Sequence, residues 1–316
     1  MSIRDFVDSN FHHFNAGEVK RTAQSLASFI ANGGKIFLTL AGAMSTARIG
    51  KTLAPLIDAG HIVGISCTGA NLEEDIFLLT ANSHYRSVAN WRDLTAADDA
   101  KLFTQGMNRV TDVCIPENQA IREIERSILP LWHDYSDNNK SALPHEFIYQ
   151  ALLEDRLSLS GNSSESWVLA AARNNLPLFV PGWEDSTLGN IFASHVIQSN
   201  IAIETIKTGI HYMTELARWY QHQDTPLAFF QIGGGIAGDF PICVVPMLNQ
   251  DMQKTVPLWS WFCQISEATP SYGGYSGAPP NEKISWGKLT TTTPKFVIES
   301  DATIVAPLIF AYILDQ

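Results

Sequence analysis

Lys35-Ile36-Phe37-Leu38-Thr39-Leu40 and Ile62-Val63-Gly64-Ile65-Ser66-Cys67 are two apolar runs of strand length. Between them Ile49, Leu53, Leu56 and Ile57 recur at helical spacing, and Gly60 closes that segment. This strand–helix–strand rhythm predicts a βαβ unit and therefore a parallel sheet. Upstream, Val19, Ala23, Leu26, Phe29 and Ile30 mark a helix that Gly33-Gly34 ends. Downstream, further strands are expected at 110–115, 178–180, 227–232, 258–264 and 296–299, with helical patterns between several of them, notably 201–220. The runs do not alternate, as expected of strands covered on both faces. The polar stretch 134–142 reads as a surface loop, and no internal repeat is evident. The expectation is one α/β domain over residues 1–316, a doubly wound, mostly parallel sheet with helices on both faces.

A chain of 316 residues with 45% hydrophobic and 17% charged residues has the makings of a sizeable core. Its net charge of −11 argues against nucleic-acid binding and suits a cationic small molecule. Cys67, Cys114, Cys243 and Cys263 are far apart in apolar, strand-like contexts, with no Cys-x-x-Cys pair. They read as buried thiols of a reducing compartment. The nine histidines show no metal-ligand spacing, so no metal is expected. The N-terminus lacks an apolar signal region, and the longest apolar run, 304–314, is too short to span a bilayer. A cytoplasmic protein without a membrane partner is expected.

In such sheets ligands bind beyond the carboxyl ends of the strands. Three segments rich in small residues follow expected strands: Ala41-Gly42-Ala43, Thr68-Gly69-Ala70 and Gly233-Gly234-Gly235. Gly233, Gly235 and Gly238 fit G-x-G-x-x-G, which either lets backbone amides approach a pyrophosphate or is a plain strand-to-helix turn. Glu73-Glu74-Asp75 is expected to open a helix, its charges complementing the macrodipole. Asp301 is placed to cap the helix that begins at Ala302.

The chemistry concentrates in Ser276-Gly277-Ala278-Pro279-Pro280-Asn281-Glu282-Lys283-Ile284-Ser285-Trp286-Gly287-Lys288. A lysine walled by an aromatic ring loses hydration, its pKa falls, and its free amine can attack an imine carbon. The segment resembles the lysine loop of deoxyhypusine synthases, which carry Ser-Gly-Ala, Pro-x-Glu and Ser-Trp-Gly-Lys at this spacing. Thr68 to Asp75, Asp185 with Leu188-Gly189, the glycine triplet and Asp301-Ala302 resemble further blocks of that family, in its order, from about residue 18 to the end.

The resemblance implies a Rossmann-like fold of the deoxyhypusine synthase type and an NAD-dependent transferase of aminoalkyl (aminobutyl-type) groups. It implies Lys288 as Schiff-base nucleophile, Glu282 as the group that orients a cationic donor or shuttles protons, and Trp286 as its cation–π wall. NAD would be held by Gly42, Ala43, Thr68, Glu74, Asp185, Gly234, Ser276 and Asp301. The substrate would be spermidine, another polyamine or a related amine, and the assembly a homo-oligomer, expected to be a tetramer. Three positions depart from the family pattern: Asn190 and Tyr275 stand where it has aspartates, and Asp239 where it has a histidine. These candidate substrate-binding residues imply a rebuilt amine clamp with weak use of spermidine. Homospermidine synthase-like chemistry, net amine dehydrogenation and a catalytically silent NAD binder are the alternatives.

Overall fold

The computed structural model describes residues 1–315. Six strands form one fully parallel sheet: β1 (Lys35–Leu40), β2 (Ile62–Cys67), β6 (Leu178–Phe179), β7 (Leu227–Ile232), β8 (Trp261–Ile265) and β9 (Lys295–Ile298), in the order β6-β2-β1-β7-β8-β9. From β1 the chain first builds outward through β2 to β6, then crosses to the other side of β1 and continues through β7 to β9. The strand order therefore reverses between β1 and β7, which places the topological switch point there.

Both faces are covered, and the reason is visible in adjacent residues. Side chains alternate along a strand, so Phe229 and Phe230 point to opposite sides. Phe229 stacks with Phe37 and Phe262 and meets Trp259, while Phe37 reaches Trp219 of helix Gly209–Gln221. Phe230 stacks with Trp261 and meets Phe310 of helix Ala302–Leu314. That helix packs on helices Phe14–Ala31 and Gly50–Asp58. Burial of both faces explains why these strands read as continuous apolar runs.

Three expectations are corrected. The run 110–115 is not a strand of the parallel sheet. It is a hairpin, β4 (Met107–Val110) and β5 (Val113–Pro116), that forms a small antiparallel sheet with β3 (Arg86–Ser87). Thr111, at φ +52°, turns the chain in the middle of the run. The polar stretch from Asp134 begins inside helix Arg122–Asp137. The helical pattern from Ile201 becomes an α-helix only at Gly209, after a short 3-10 turn over Ile203–Thr205.

Among the described residues no helix is long and apolar enough to cross a membrane, and no group of three His, Cys, Asp or Glu side chains is placed to hold a metal ion.

Candidate active site

The strand-end segments emerge side by side, because the parallel ladder continues past the strands. Thr68 N donates to Leu40 O (3.1 Å), Ala41 N to Ile232 O (3.0 Å), Gly233 N to Ile265 O (2.8 Å) and Ser266 N to Ile298 O (3.1 Å). Thr68 caps helix Gly69–Ala81 and donates its hydroxyl to Gly42 O (3.0 Å). The buried Asn71 amide donates to the carbonyls of Leu40, Ala41 and Gly42, riveting the turn that holds Gly42 and Ala43. Gly42 sits at φ +62° with open space where a Cβ would project. A Cβ on Gly234 would lie 2.3 Å from Cβ of Ser276, so only glycine lets the segment after β7 meet the lysine loop.

Helix Gly235–Ile242 opens on the last glycine of the triplet, with Gly234 as an N-cap that offers no side chain; Pro241 falls in its last turn. Its first N–H groups therefore have no capping side chain to accept from them. Asp301 caps helix Ala302–Leu314, accepting from Thr303 N (2.8 Å), and is exposed; Asp185 is exposed in the turn before helix Thr187–Ile197.

Glu73-Glu74-Asp75 corrects another expectation. The helix starts at Gly69, so the triplet lies in its second turn and all three side chains are buried. Glu73 accepts from the backbone N–H groups of Thr187 (2.9 Å) and Leu188 (2.8 Å), tying down the start of a neighbouring helix. Asp75 accepts from Ser166 Oγ (2.5 Å) and Val168 N (3.1 Å). Glu74 accepts from Thr46 Oγ1 (2.6 Å). Burial raises the pKa of each, that of Asp75 to about 6, against the lowering effect of these hydrogen bonds.

The lysine loop owes its shape to a helix-ending glycine. The short helix Glu282–Ser285 ends with Gly287 at φ +66°. Gly287 N donates to Ile284 O (3.0 Å) and Lys288 N to Lys283 O (2.9 Å), the paired bonds of a Schellman motif. The reversal turns Lys288 inward, where it is 5% exposed. Its Nζ lies 3.7 Å from Asp239 Oδ1 and 5.7 Å from the ring centres of both Trp286 and Tyr275. A cavity of about 420 Å³ opens there, lined by Lys288, Asp239, Tyr275, Glu282, Trp286 and Cys243 among others. Trp286 is 65% exposed, a flap at the cavity mouth rather than a core residue.

The deoxyhypusine synthase profile matches residues 8–313. The chain belongs to the deoxyhypusine synthase family. Members of this family are transferases of alkyl groups. A deoxyhypusine synthase-like protein of Cyanothece sp. is 26% identical over 325 residues, covering 100% of this chain and 80% of that one. A Methanosarcina mazei protein assigned as a deoxyhypusine synthase is 28% identical over 275 residues, 87% of this chain and 75% of that one. A crystal structure from Entamoeba histolytica, likewise assigned as a deoxyhypusine synthase, superposes with a TM-score of 0.60 at 14% identity, covering 99% of this chain and 92% of that one. It shows the shared fold.

Against the deoxyhypusine synthase pattern, the positions that depart from it separate. Asp239 and Tyr275 line the lysine cavity. Asn190 lies on the exposed side of helix Thr187–Ile197 and is not among the residues lining it. Three features escaped the sequence reading. Gln231 and Gln264, paired across β7 and β8, are buried inside apolar strands. Gln231 accepts from Tyr275 OH (3.0 Å) and Gln264 donates to Ser276 O, so the two amides pin the lysine loop to the sheet. The second cavity lysine, Lys283, is 2% exposed, and burial followed by the nearby Lys288 charge lowers its pKa to about 8. Cys243, expected in a strand, stands half-buried just past helix Gly235–Ile242, and burial raises its thiol pKa.

Proposed function

We propose that this deoxyhypusine synthase relative moves an aminoalkyl group between two amines with NAD as cofactor and Lys288 as covalent carrier. The observation that carries the proposal is Lys288 itself: an amine turned into a cavity of substrate size, flanked by one carboxylate and two aromatic rings.

The residues at the switch point fit NAD. Gly42 leaves open space beside the β1 turn, and the helix starting at Gly235 offers N–H groups for an anion. Ala43, Thr68, Gly234 and Ser276 would form the floor, while the exposed Asp185 and Asp301 would accept from ribose hydroxyls. Glu74, buried on Thr46, would act through that turn rather than by contact. When bound, NAD supplies reversible hydride acceptance, which makes the carbon next to an amine electrophilic and later restores it.

Lys288 Nζ adds to that carbon, and the first amine leaves with a proton, so the alkyl group stays on Lys288 as a Schiff base. A second amine then adds to the same carbon and Lys288 departs. Asp239 holds the proton of Lys288 or the incoming ammonium, Glu282 orients the amine chain at the mouth, and Trp286 covers it and limits water. Asn190 would bear on the substrate only from another subunit of a homo-oligomer, for which we favour a tetramer in the cytoplasm.

The test is borohydride trapping with NAD and a panel of polyamines, read by mass spectrometry. An adduct on Lys288 that disappears in Lys288→Arg supports the mechanism; an adduct undiminished in that variant refutes it. NADH that accumulates with amine alone would point to net dehydrogenation instead. Sedimentation as a monomer with full NAD affinity would exclude a shared site.

A further inference from the structure

Four charged side chains line the lysine cavity, Asp239 and Glu282 against Lys283 and Lys288, so its formal charge balances to zero. A polyamine would bring two or three positive charges into a lining with no excess of carboxylate. Asp239 is already the near partner of Lys288. Glu282 is exposed at the mouth.

Lys283 is the unusual member. Its side chain lies between the Phe262 and Tyr275 rings, with Nζ 4.9 and 5.0 Å from their centres. One hydrogen bond, to Ala278 O at 3.3 Å, occupies one of its three N–H donors. Among the described residues it makes no ion pair. Ring faces and one carbonyl solvate an ammonium without neutralising it, and a buried cation without a counter-ion is costly until an anion arrives. Such an ammonium beside a cavity has donors to spare for an anionic partner.

We propose that one of the two amines exchanged at Lys288 carries a carboxylate, which Lys283 holds, so that the cavity selects an amino acid with a basic side chain over a simple di- or polyamine. The carboxylate would take the two spare donors of Lys283, while the ligand's ammonium groups meet Asp239 and Glu282. A carboxylate matches the single spare cation, whereas a phosphate dianion calls for more than one. The inference rests on the reading of this cavity as the amine site of the transfer reaction.

The test is calorimetric titration of the full chain with NAD present, using three pairs that differ by one carboxylate: ornithine and putrescine, lysine and cadaverine, arginine and agmatine. In at least one pair the amino acid is expected to bind tenfold or more tightly than its decarboxylated partner. Lys283→Met should erase that preference, and Lys283→Arg should keep most of it, with circular dichroism confirming that both variants fold. Equal or tighter binding of the decarboxylated amine in all three pairs overturns the proposal, as does a preference that survives Lys283→Met. Borohydride trapping separates this from the transfer mechanism. A carboxylate preference without an adduct on Lys288 would leave Lys283 as an anion site and remove the covalent step; an adduct with simple amines and no preference would do the reverse.

Discussion

Helix Gly69–Ala81 and the lysine loop both bury charge, and they treat it in opposite ways. Glu73, Glu74 and Asp75 are each held by hydrogen bonds of 2.5–3.1 Å from hydroxyls or backbone N–H groups. Lys283 and Lys288 share a cavity with one ion pair at 3.7 Å, one long hydrogen bond and several ring faces. Saturated buried charge positions structure, whereas charge left short of partners is reserved for a ligand. The two regions should therefore respond to mutation with opposite signs.

The largest expected effect is on chemistry. Lys288→Arg keeps a cation but offers no nucleophilic amine at neutral pH, so turnover should fall by about a thousandfold or more. Thermal stability should change little. Steady-state rates with the donor found by trapping, together with a melting curve, check both halves. A variant that retains a tenth of the rate would remove Lys288 from the covalent role.

Next come the carboxylates. Glu73→Ala leaves the buried Leu188 N–H and the part-buried Thr187 N–H unanswered, with an expected loss of about 3 kcal/mol in chemical denaturation. Asp75 gives a pH signature. Its pKa rises on folding from 3.8 to about 6, so the folded state binds the proton more tightly than the unfolded one. Stability from this group is present below pH 4 and is lost as pH rises through 6, by up to about 3 kcal/mol. Asp75→Asn should flatten that slope; an unchanged slope would show that Asp75 does not titrate in this window.

Lys283→Met is expected to act in the other direction. The folded pKa of about 8 lies below the ordinary 10.5, so the folded state is penalised below pH 8 and the penalty fades between 8 and 10.5. Water in the cavity screens part of it. A gain of about 1–2 kcal/mol at pH 7, shrinking at higher pH, is expected. Destabilisation at pH 7 would place Lys283 with the structural charges.

Legibility in the sequence follows the same division. The strands at 35–40, 62–67 and 227–232 read directly, because burial on both faces leaves an uninterrupted apolar run. The hairpin at 107–116 did not, since two four-residue strands joined by Thr111-Asp112 look like one run. In the site, the loop motif led to Lys288, Glu282 and Trp286, and the departures from the family pattern led to Asp239 and Tyr275; the structure brings all five to one cavity. Lys283 is not legible, because a lysine in a short polar-apolar segment resembles a solvated charge until tertiary packing covers it. Gln231 and Gln264 were hidden for the opposite reason, as lone amides inside apolar strands. For Glu73 to Asp75 the distance from the helix start decides: at the N-terminus they would be exposed, but in the second turn they face neighbouring elements.

The smallest expected effect separates the positions that depart from the family pattern. Tyr275 lies against both lysines and donates its hydroxyl to Gln231, so Tyr275→Asp puts an anion into the cavity at the cost of that bond. One added carboxylate near a partly solvated ammonium contributes on the order of 1 kcal/mol, so spermidine binding or turnover should improve by about fivefold. Asn190 lies outside that cavity within the chain, so Asn190→Asp alone should change spermidine use by less than twofold unless a second subunit brings it to the lysine. Comparing spermidine, putrescine and agmatine as donors in the wild type, each single variant and the double variant decides the matter. A gain from Asn190→Asp comparable to that from Tyr275→Asp would mean that the amine clamp is assembled between subunits. No gain from Tyr275→Asp would mean that the unpaired Lys283 ammonium, rather than the missing aspartate, excludes the polyamine, and the Tyr275→Asp/Lys283→Met pair would then be the variant to show turnover.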